Sequence, residues 1–149
     1  MLAPERSRAL VSRLGFLGLT PFGALAAATV FASGPMRAIA AAALLTYGAT
    51  ILSFLGGIFW GLTLARPALS TRESALFLGL GVTPQLLGWA ALLIPAPWGH
   101  LLTAAGVVAL LALDRAAVRS GIAPDWFLHL RWPLSCIAAI AMIIGALSL

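Results

Sequence analysis

The chain has no lysine, one cysteine and few charges of any kind: 9% of its 149 residues are Asp, Glu, Lys or Arg. Each scarcity excludes something. A soluble domain carries roughly a quarter charged residues, so this sequence has no polar shell with which to meet water. A lone Cys136 allows no intrachain disulfide and no cysteine-based metal site. No nucleophile elbow, phosphate loop, zinc helix motif or dinucleotide fingerprint occurs, and no carboxylate pair lies inside an apolar run. No catalytic residue, metal or cofactor is therefore expected, and the chain does not read as an enzyme.

What is present is apolar sequence. Hydrophobic residues make up 62% of the chain and the mean hydropathy is +1.06. A bilayer-spanning helix needs about 20 such residues to cross about 30 Å of hydrocarbon. Five segments qualify: residues 14–32, 38–65, 74–94, 99–118 and 132–149. Ser33-Gly34-Pro35 and Pro95-Ala96-Pro97 separate them as tight turns, and Arg66-Pro67 and Arg119-Ser120-Gly121 close the second and fourth. The expected fold is all-α, a single domain made of a polytopic bundle of five transmembrane helices.

The arginines give that bundle a direction. All nine positive side chains are Arg, and eight of them (Arg6, Arg8, Arg13, Arg66, Arg72, Arg115, Arg119 and Arg131) fall on one side of five spans; only Arg37 falls on the other. Short loops with this bias face the cytoplasm. The expectation is a cytoplasmic N-terminus and an outside C-terminus, in a multi-pass protein of a bacterial inner membrane. A net charge of +5 would suit nucleic acid, but arginines scattered singly between apolar runs read as anchors at lipid headgroups; the expected environment is the lipid bilayer. A cleaved secretory signal is disfavoured because the first run is long and carries Pro21. Glu5 and the immediate onset of that run argue against a mitochondrial leader. Trp60, Trp126 and Trp132 are expected near the inner interface, and Trp89 and Trp98 near the outer one.

Gly18-Leu19-Thr20-Pro21 and Gly81-Val82-Thr83-Pro84 echo one another and raise the possibility of a repeated hairpin. Each proline removes a backbone donor and should kink its helix, with Thr20 and Thr83 available to hydrogen-bond the freed carbonyls. In the second span Ala49, Ser53, Gly57 and Gly61 recur every four residues, a small-residue stripe expected to be the helix–helix seam and a possible contact for a membrane protein partner. Gln85, central in the third span, is expected to bond across helices to Ser53 or Tyr47; Tyr47, Ser53, Thr83 and Gln85 are the candidate lining of a pocket. Asp114 is expected near the inner interface, paired with Arg66 or Arg115. His100 is placed at the outer edge, and Asp125, His129 and Arg131 in a solvated inner loop. Asp125 and His129 are two ligands at most, too few for a metal site. The spans contain no buried charge on this reading.

The second-span segment Tyr47-Gly48-Ala49-Thr50-Ile51-Leu52-Ser53-Phe54-Leu55-Gly56-Gly57-Ile58-Phe59-Trp60-Gly61 resembles the signature of DUF3429, a family of integral membrane proteins. Pro84-Gln85-Leu86-Leu87-Gly88-Trp89 and Asp114-Arg115 are similar to two further signatures of the same family. The resemblance implies a five-helix membrane architecture and no reaction. The favoured role is a non-enzymatic helix-packing subunit or assembly factor of an inner-membrane complex. The alternative is a binder or transporter of a small hydrophobic ligand such as a lipid, quinone or tetrapyrrole, based on two proline-bearing helices and Gln85 at mid-depth.

Overall fold

The computed structural model describes residues 4–66 and 69–149. Six α-helices and no strand occur among them: α1 (Pro4–Leu17), α2 (Thr20–Phe31), α3 (Gly34–Leu64), α4 (Thr71–Leu93), α5 (Trp98–Arg119) and α6 (Asp125–Leu147). Because α1 and α2 run on from each other, there are five apolar segments long enough to cross a membrane, the first from Glu5 to Phe31. At about 1.5 Å per residue the 31-residue α3 is about 46 Å long, more than a hydrocarbon core requires, so it tilts or projects beyond it.

The boundaries follow local chemistry. Pro21 stands in the first turn of α2, and the chain breaks at Gly18–Leu19 just before it. A proline in that place removes a donor and crowds the carbonyl four residues back. The carbonyl of Gly18 is taken up from outside the helix: the Tyr47 hydroxyl of α3 donates to it at 2.9 Å. The carbonyl four residues before Pro21 is that of Leu17, so the Tyr47 bond is a separate one; neither Thr20 nor Thr83 makes a side-chain hydrogen bond among the described residues, and neither takes the role expected of it. Pro84 behaves differently. It lies inside an unbroken α4, buried against α3. The two echoing tetrapeptides thus take different backbones, a turn in one and a helix in the other.

Helix α4 begins at Thr71, three residues before the expected start, because Ser70-Thr71-Arg72-Glu73 forms a capping box. Ser70 Oγ accepts from the Glu73 amide at 3.3 Å, and Glu73 Oε2 accepts from the Ser70 amide at 3.1 Å. Helix α6 also begins early, at Asp125, where Pro124 is the extended N-cap residue and an acid suits the positive end of the helix dipole. Gly34, the first residue of α3, and Gly121, in the turn after α5, hold positive φ of 56° and 68°, a region open to glycine at little cost. The expected breaker Pro67 lies outside the described residues.

Helix α3 is the centre of the bundle and packs against α2, α4, α5 and α6. Its contact with α4 is antiparallel and runs through bare backbone. A Cβ on Gly56 would collide with the Gly81 carbonyl oxygen, and a Cβ on Gly88 would come within 2.9 Å of the Ala49 carbonyl oxygen. On the faces toward α5 and α6, a Cβ on Gly48 would meet Met142 Sδ at 2.9 Å and Thr103 Cγ2 at 3.0 Å. Leu44 presses on Gly145 of α6, and Leu52 lies against Gly106 of α5.

The expected small-residue stripe is therefore corrected by one residue along the helix. Ala49 is buried, but Gly57 and Gly61 are exposed and a Cβ on either would touch nothing. The seam with α4 uses Ala49 and Gly56. In lipid, where apolar burial adds little, van der Waals contact between backbones is the main source of helix association. Gly56→Val should accordingly lower stability by about 1–3 kcal/mol, as overpacking does, whereas Gly57→Val should change it by less than about 0.5 kcal/mol. Unfolding in mixed detergent micelles reads both.

Candidate functional site: a buried ion pair and its cavity

The chain turns from α5 to α6 over Ser120–Pro124. Ile122 and Ala123 are buried there and both donate their amides to the Ala117 carbonyl. This tight reversal lays α5 and α6 side by side and antiparallel. It sets Asp114, about a turn and a half before the end of α5, opposite Arg131, less than two turns into α6.

Arg131 Nε donates to Asp114 Oδ2 at 3.0 Å, and the two side chains are only 7% and 1% exposed. At about 1.5 Å per residue the pair lies roughly 8 Å inside the helix ends. Three expectations fail here. Asp114 pairs with neither Arg66 nor Arg115, Arg131 does not sit in a solvated loop, and the spans do contain a buried charge. The physical reason is the early start of α6: beginning at Asp125, it carries Arg131 into the bundle. Asp125 and His129 remain exposed on its first turns, with His129 Nδ1 3.1 Å from the Asp125 carbonyl oxygen.

Two charges away from water are costly unless they pair closely, and the Arg131–Asp114 bond meets that need only in part. Arg131 Nη2 is buried with no hydrogen-bond partner, and so is Ser135 Oγ one turn further along α6. Arg131 and Ser135 both line a cavity of about 90 Å³ bounded by Gly15 near the end of α1, Gly18 of the α1–α2 break, Phe22, Phe54 and Leu55, Val107, and Leu134 and Ala138. Gly18 of the break before Pro21 thus lines the same cavity as a buried cation.

His100, in the first turn of α5, is packed inside the bundle rather than exposed at that end: it is 1% exposed, with Nε2 3.0 Å from the Ala41 carbonyl oxygen and Nδ1 unpartnered. Gly99 before it packs on the Ala91 carbonyl oxygen, which draws the start of α5 into the bundle. Among the described residues no three His, Cys, Asp or Glu side chains come together as a metal would require.

The four candidate pocket residues are not brought together. Ser53 and Gln85 line a groove of about 210 Å³ between α3 and α4, with Gly57, Trp60, Gly81 and Val82. Gln85 bonds to neither Ser53 nor Tyr47; the Ser53 hydroxyl donates to its own helix at Ala49, 3.0 Å away. Thr83 lines a different groove of about 380 Å³, apolar apart from Thr83 itself, with Pro84, Leu52, Leu87 and Gly106. Tyr47 faces α2, bonded to Gly18 and edge-on to Phe22 at 5.0 Å between ring centroids.

At the arginine-rich end, Arg8 lies 5.7 Å from the ring centre of Trp126, joining the start of α1 to the start of α6. Trp60, Trp89, Trp98 and Trp132 are all exposed on the bundle surface, and the Trp60 indole N–H donates to the Leu78 carbonyl at 3.0 Å.

A helical bundle with five bilayer-length segments around a glycine-lined central helix is an integral, multi-pass membrane protein. Residues 7–147 match a family described as a protein of unknown function, DUF3429, and the chain belongs to that family. It is similar to transmembrane protein 69 of Xenopus tropicalis, 32% identical over 135 residues. That match takes in 87% of this chain and 51% of the relative, so the chain spans about half the length of the curated relative it matches. No solved structure matches it.

Removing one partner of a buried pair leaves the other charge uncompensated. Arg131→Met and Asp114→Leu should each destabilise by about 3–5 kcal/mol, while the double variant should lose much less than their sum. Arg66→Met should leave stability within about 0.5 kcal/mol. A double-mutant cycle in detergent checks the assignment of the pair.

Proposed function

We propose that the protein is a non-enzymatic helix-packing subunit or assembly factor of a membrane complex, and that it receives a transmembrane helix of its partner in the groove between α3 and α4. One observation carries this reading: Gln85, near the centre of α4, exposes its amide on the lipid-facing surface beside bare backbone at Gly57, with no hydrogen bond among the described residues. An amide has donors and an acceptor to satisfy, and hydrocarbon offers none. A neighbouring helix offers both, and a glycine at the contact lets its backbone come close. Ser53, Gly57 and Gly61, uncovered by the protein's own helices over much of their length, form the track for it.

A photo-reactive residue at Val82, in the groove, should yield a discrete cross-linked protein in native membranes. The same residue at Ile140, exposed on α6, should not. Gln85→Leu should reduce the product severalfold without loss of stability. Lipid adducts alone, or equal products from both faces, would count against the role.

The membrane and the orientation belong to the same reading. Eight of nine arginines gather at the end of the bundle where the chain begins, which supports a cytoplasmic N-terminus in a bacterial inner membrane. A phosphatase that works only outside the cytoplasm should be active when fused after Leu149 and inactive when fused before Met1.

The groove at Pro84 favours a second reading, a binder of a small hydrophobic molecule such as a lipid, quinone or tetrapyrrole. Its volume of about 380 Å³ falls in the range of small-molecule sites. Ala109→Trp, at its exposed wall, should then expel a stoichiometric molecule retained through gentle detergent purification.

A further inference from the structure

The unpartnered donors beside the buried ion pair point to a ligand of defined chemistry. Arg131 and Ser135 stand four residues apart on α6, on one helical face, and line one cavity. Arg131 is 6% exposed and Ser135 1% exposed. Arg131 Nη2 only donates; Ser135 Oγ donates or accepts. Asp114 already balances the guanidinium charge through Nε, so the open donors ask for a neutral acceptor more than for an anion.

The rest of the lining is apolar or bare backbone. A single water needs only about 10–15 Å³ of such space and two to four polar partners. The cavity holds about 90 Å³, and its polar edge consists of Arg131 and Ser135. One water there is plausible chemistry, but the remaining space would leave further waters without partners. An occupant with one acceptor oxygen and an apolar body satisfies both ends. Phe54, one of its lining residues, is 65% exposed on the bundle surface, and the ion pair lies roughly 8 Å inside the helix ends. That is the depth of the boundary between headgroups and acyl chains, where the ester carbonyls of membrane lipids lie.

We propose that Arg131 and Ser135 bind the carbonyl oxygen of a bilayer-resident molecule, with the ester carbonyl of an inserted lipid acyl chain as its nearest source. The apolar portion lies along Phe54, Leu134 and Ala138, with Gly15 leaving room beside Leu134. This site shares no residue with the groove proposed for a partner helix, so either can fail without the other.

The test uses the full chain, delipidated in mild detergent and examined by native mass spectrometry. Two lipids of identical headgroup and chain length are titrated separately, one diester-linked and one diether-linked; a long-chain benzoquinone forms a third arm. The expected result is one retained diester lipid, with the carbonyl-free diether about fivefold weaker, the equivalent of one ordinary hydrogen bond. Ser135→Ala should erase that difference, and Ala138→Leu, which fills the cavity, should release the lipid. If the benzoquinone displaces the diester lipid and loses affinity in Ser135→Ala, the carbonyl site stands with a quinone as its source. Equal retention of diester and diether by the wild-type protein would overturn the proposal, as would a difference that persists in Ser135→Ala or no retention in any arm. The wild-type comparison of the two lipids decides the matter even if a variant fails to fold.

Discussion

Backbone-to-backbone contact between α3 and α4 is the constraint on which the rest depends. Gly56 sits against the Gly81 carbonyl and Gly88 against that of Ala49. A soluble bundle of this size would draw its cohesion from removing apolar surface from water. In a bilayer the competing solvent is as apolar as leucine, and cohesion comes from closeness of approach. Glycine also makes room where α3 meets α5 and α6: Gly48 accommodates Met142 and Thr103, Gly106 receives Leu52, and Gly145 receives Leu44. With α3 gripped on these sides, the remaining helices have little freedom in where they place polar groups.

Those polar groups are few and each has a distinct consequence. Tyr47 satisfies the Gly18 carbonyl and so allows the first span to break. The break opens a small cavity against α6. Arg131 enters that cavity's wall while paired to Asp114. A proline at position 21, a tyrosine on the next helix and an arginine at the far end of the chain thus form one local arrangement. Gln85 is the counter-example, a mid-membrane amide that the bundle does not satisfy for itself. An internal cation with an open donor and an external amide without a partner are two of the places where the fold remains chemically incomplete, beside the unpartnered Nδ1 of buried His100.

Much of the architecture was legible. Five segments of bilayer length and the turns at Ser33-Gly34-Pro35 and Pro95-Ala96-Pro97 were readable because hydropathy and helix breakers act locally; the family was readable only through the resemblance of residues 47–61, 84–89 and 114–115 to its signatures. The seam was placed rightly at Ala49 and one residue off at Gly57, for a plain reason. Gly56 and Gly57 are adjacent, and a period of four passes through either; neighbouring residues point about 100° apart, and only the partner helix selects between them. The ion pair was missed because the sixth helix was begun at Trp132. Pro124-Asp125, an extended residue followed by an acid, is a helix-start signal that would have carried Arg131 inside. Ser70-Thr71-Arg72-Glu73 was a similar signal at α4. The burial of His100 had no local signature, since it depends on Gly99 meeting Ala91 across a turn. The candidate pocket failed to converge because Thr83 and Gln85, two residues apart on a helix, point to different sides.

The account's central claim, that α3 and α4 are joined through bare backbone in one antiparallel register, is tested most directly by paired-cysteine cross-linking in native membranes. In a Cys136→Ala background, cysteines placed at Leu52 with Leu87, which both lie against Gly106 on one flank of the seam, should form a disulfide rapidly, and pairs with α4 that use Gly57 or Gly61 in place of Leu52 should react slowly. Preferential cross-linking through Gly57 and Gly61 would contradict it, because the seam would then follow the other stripe and the buried and open faces of α3 would exchange.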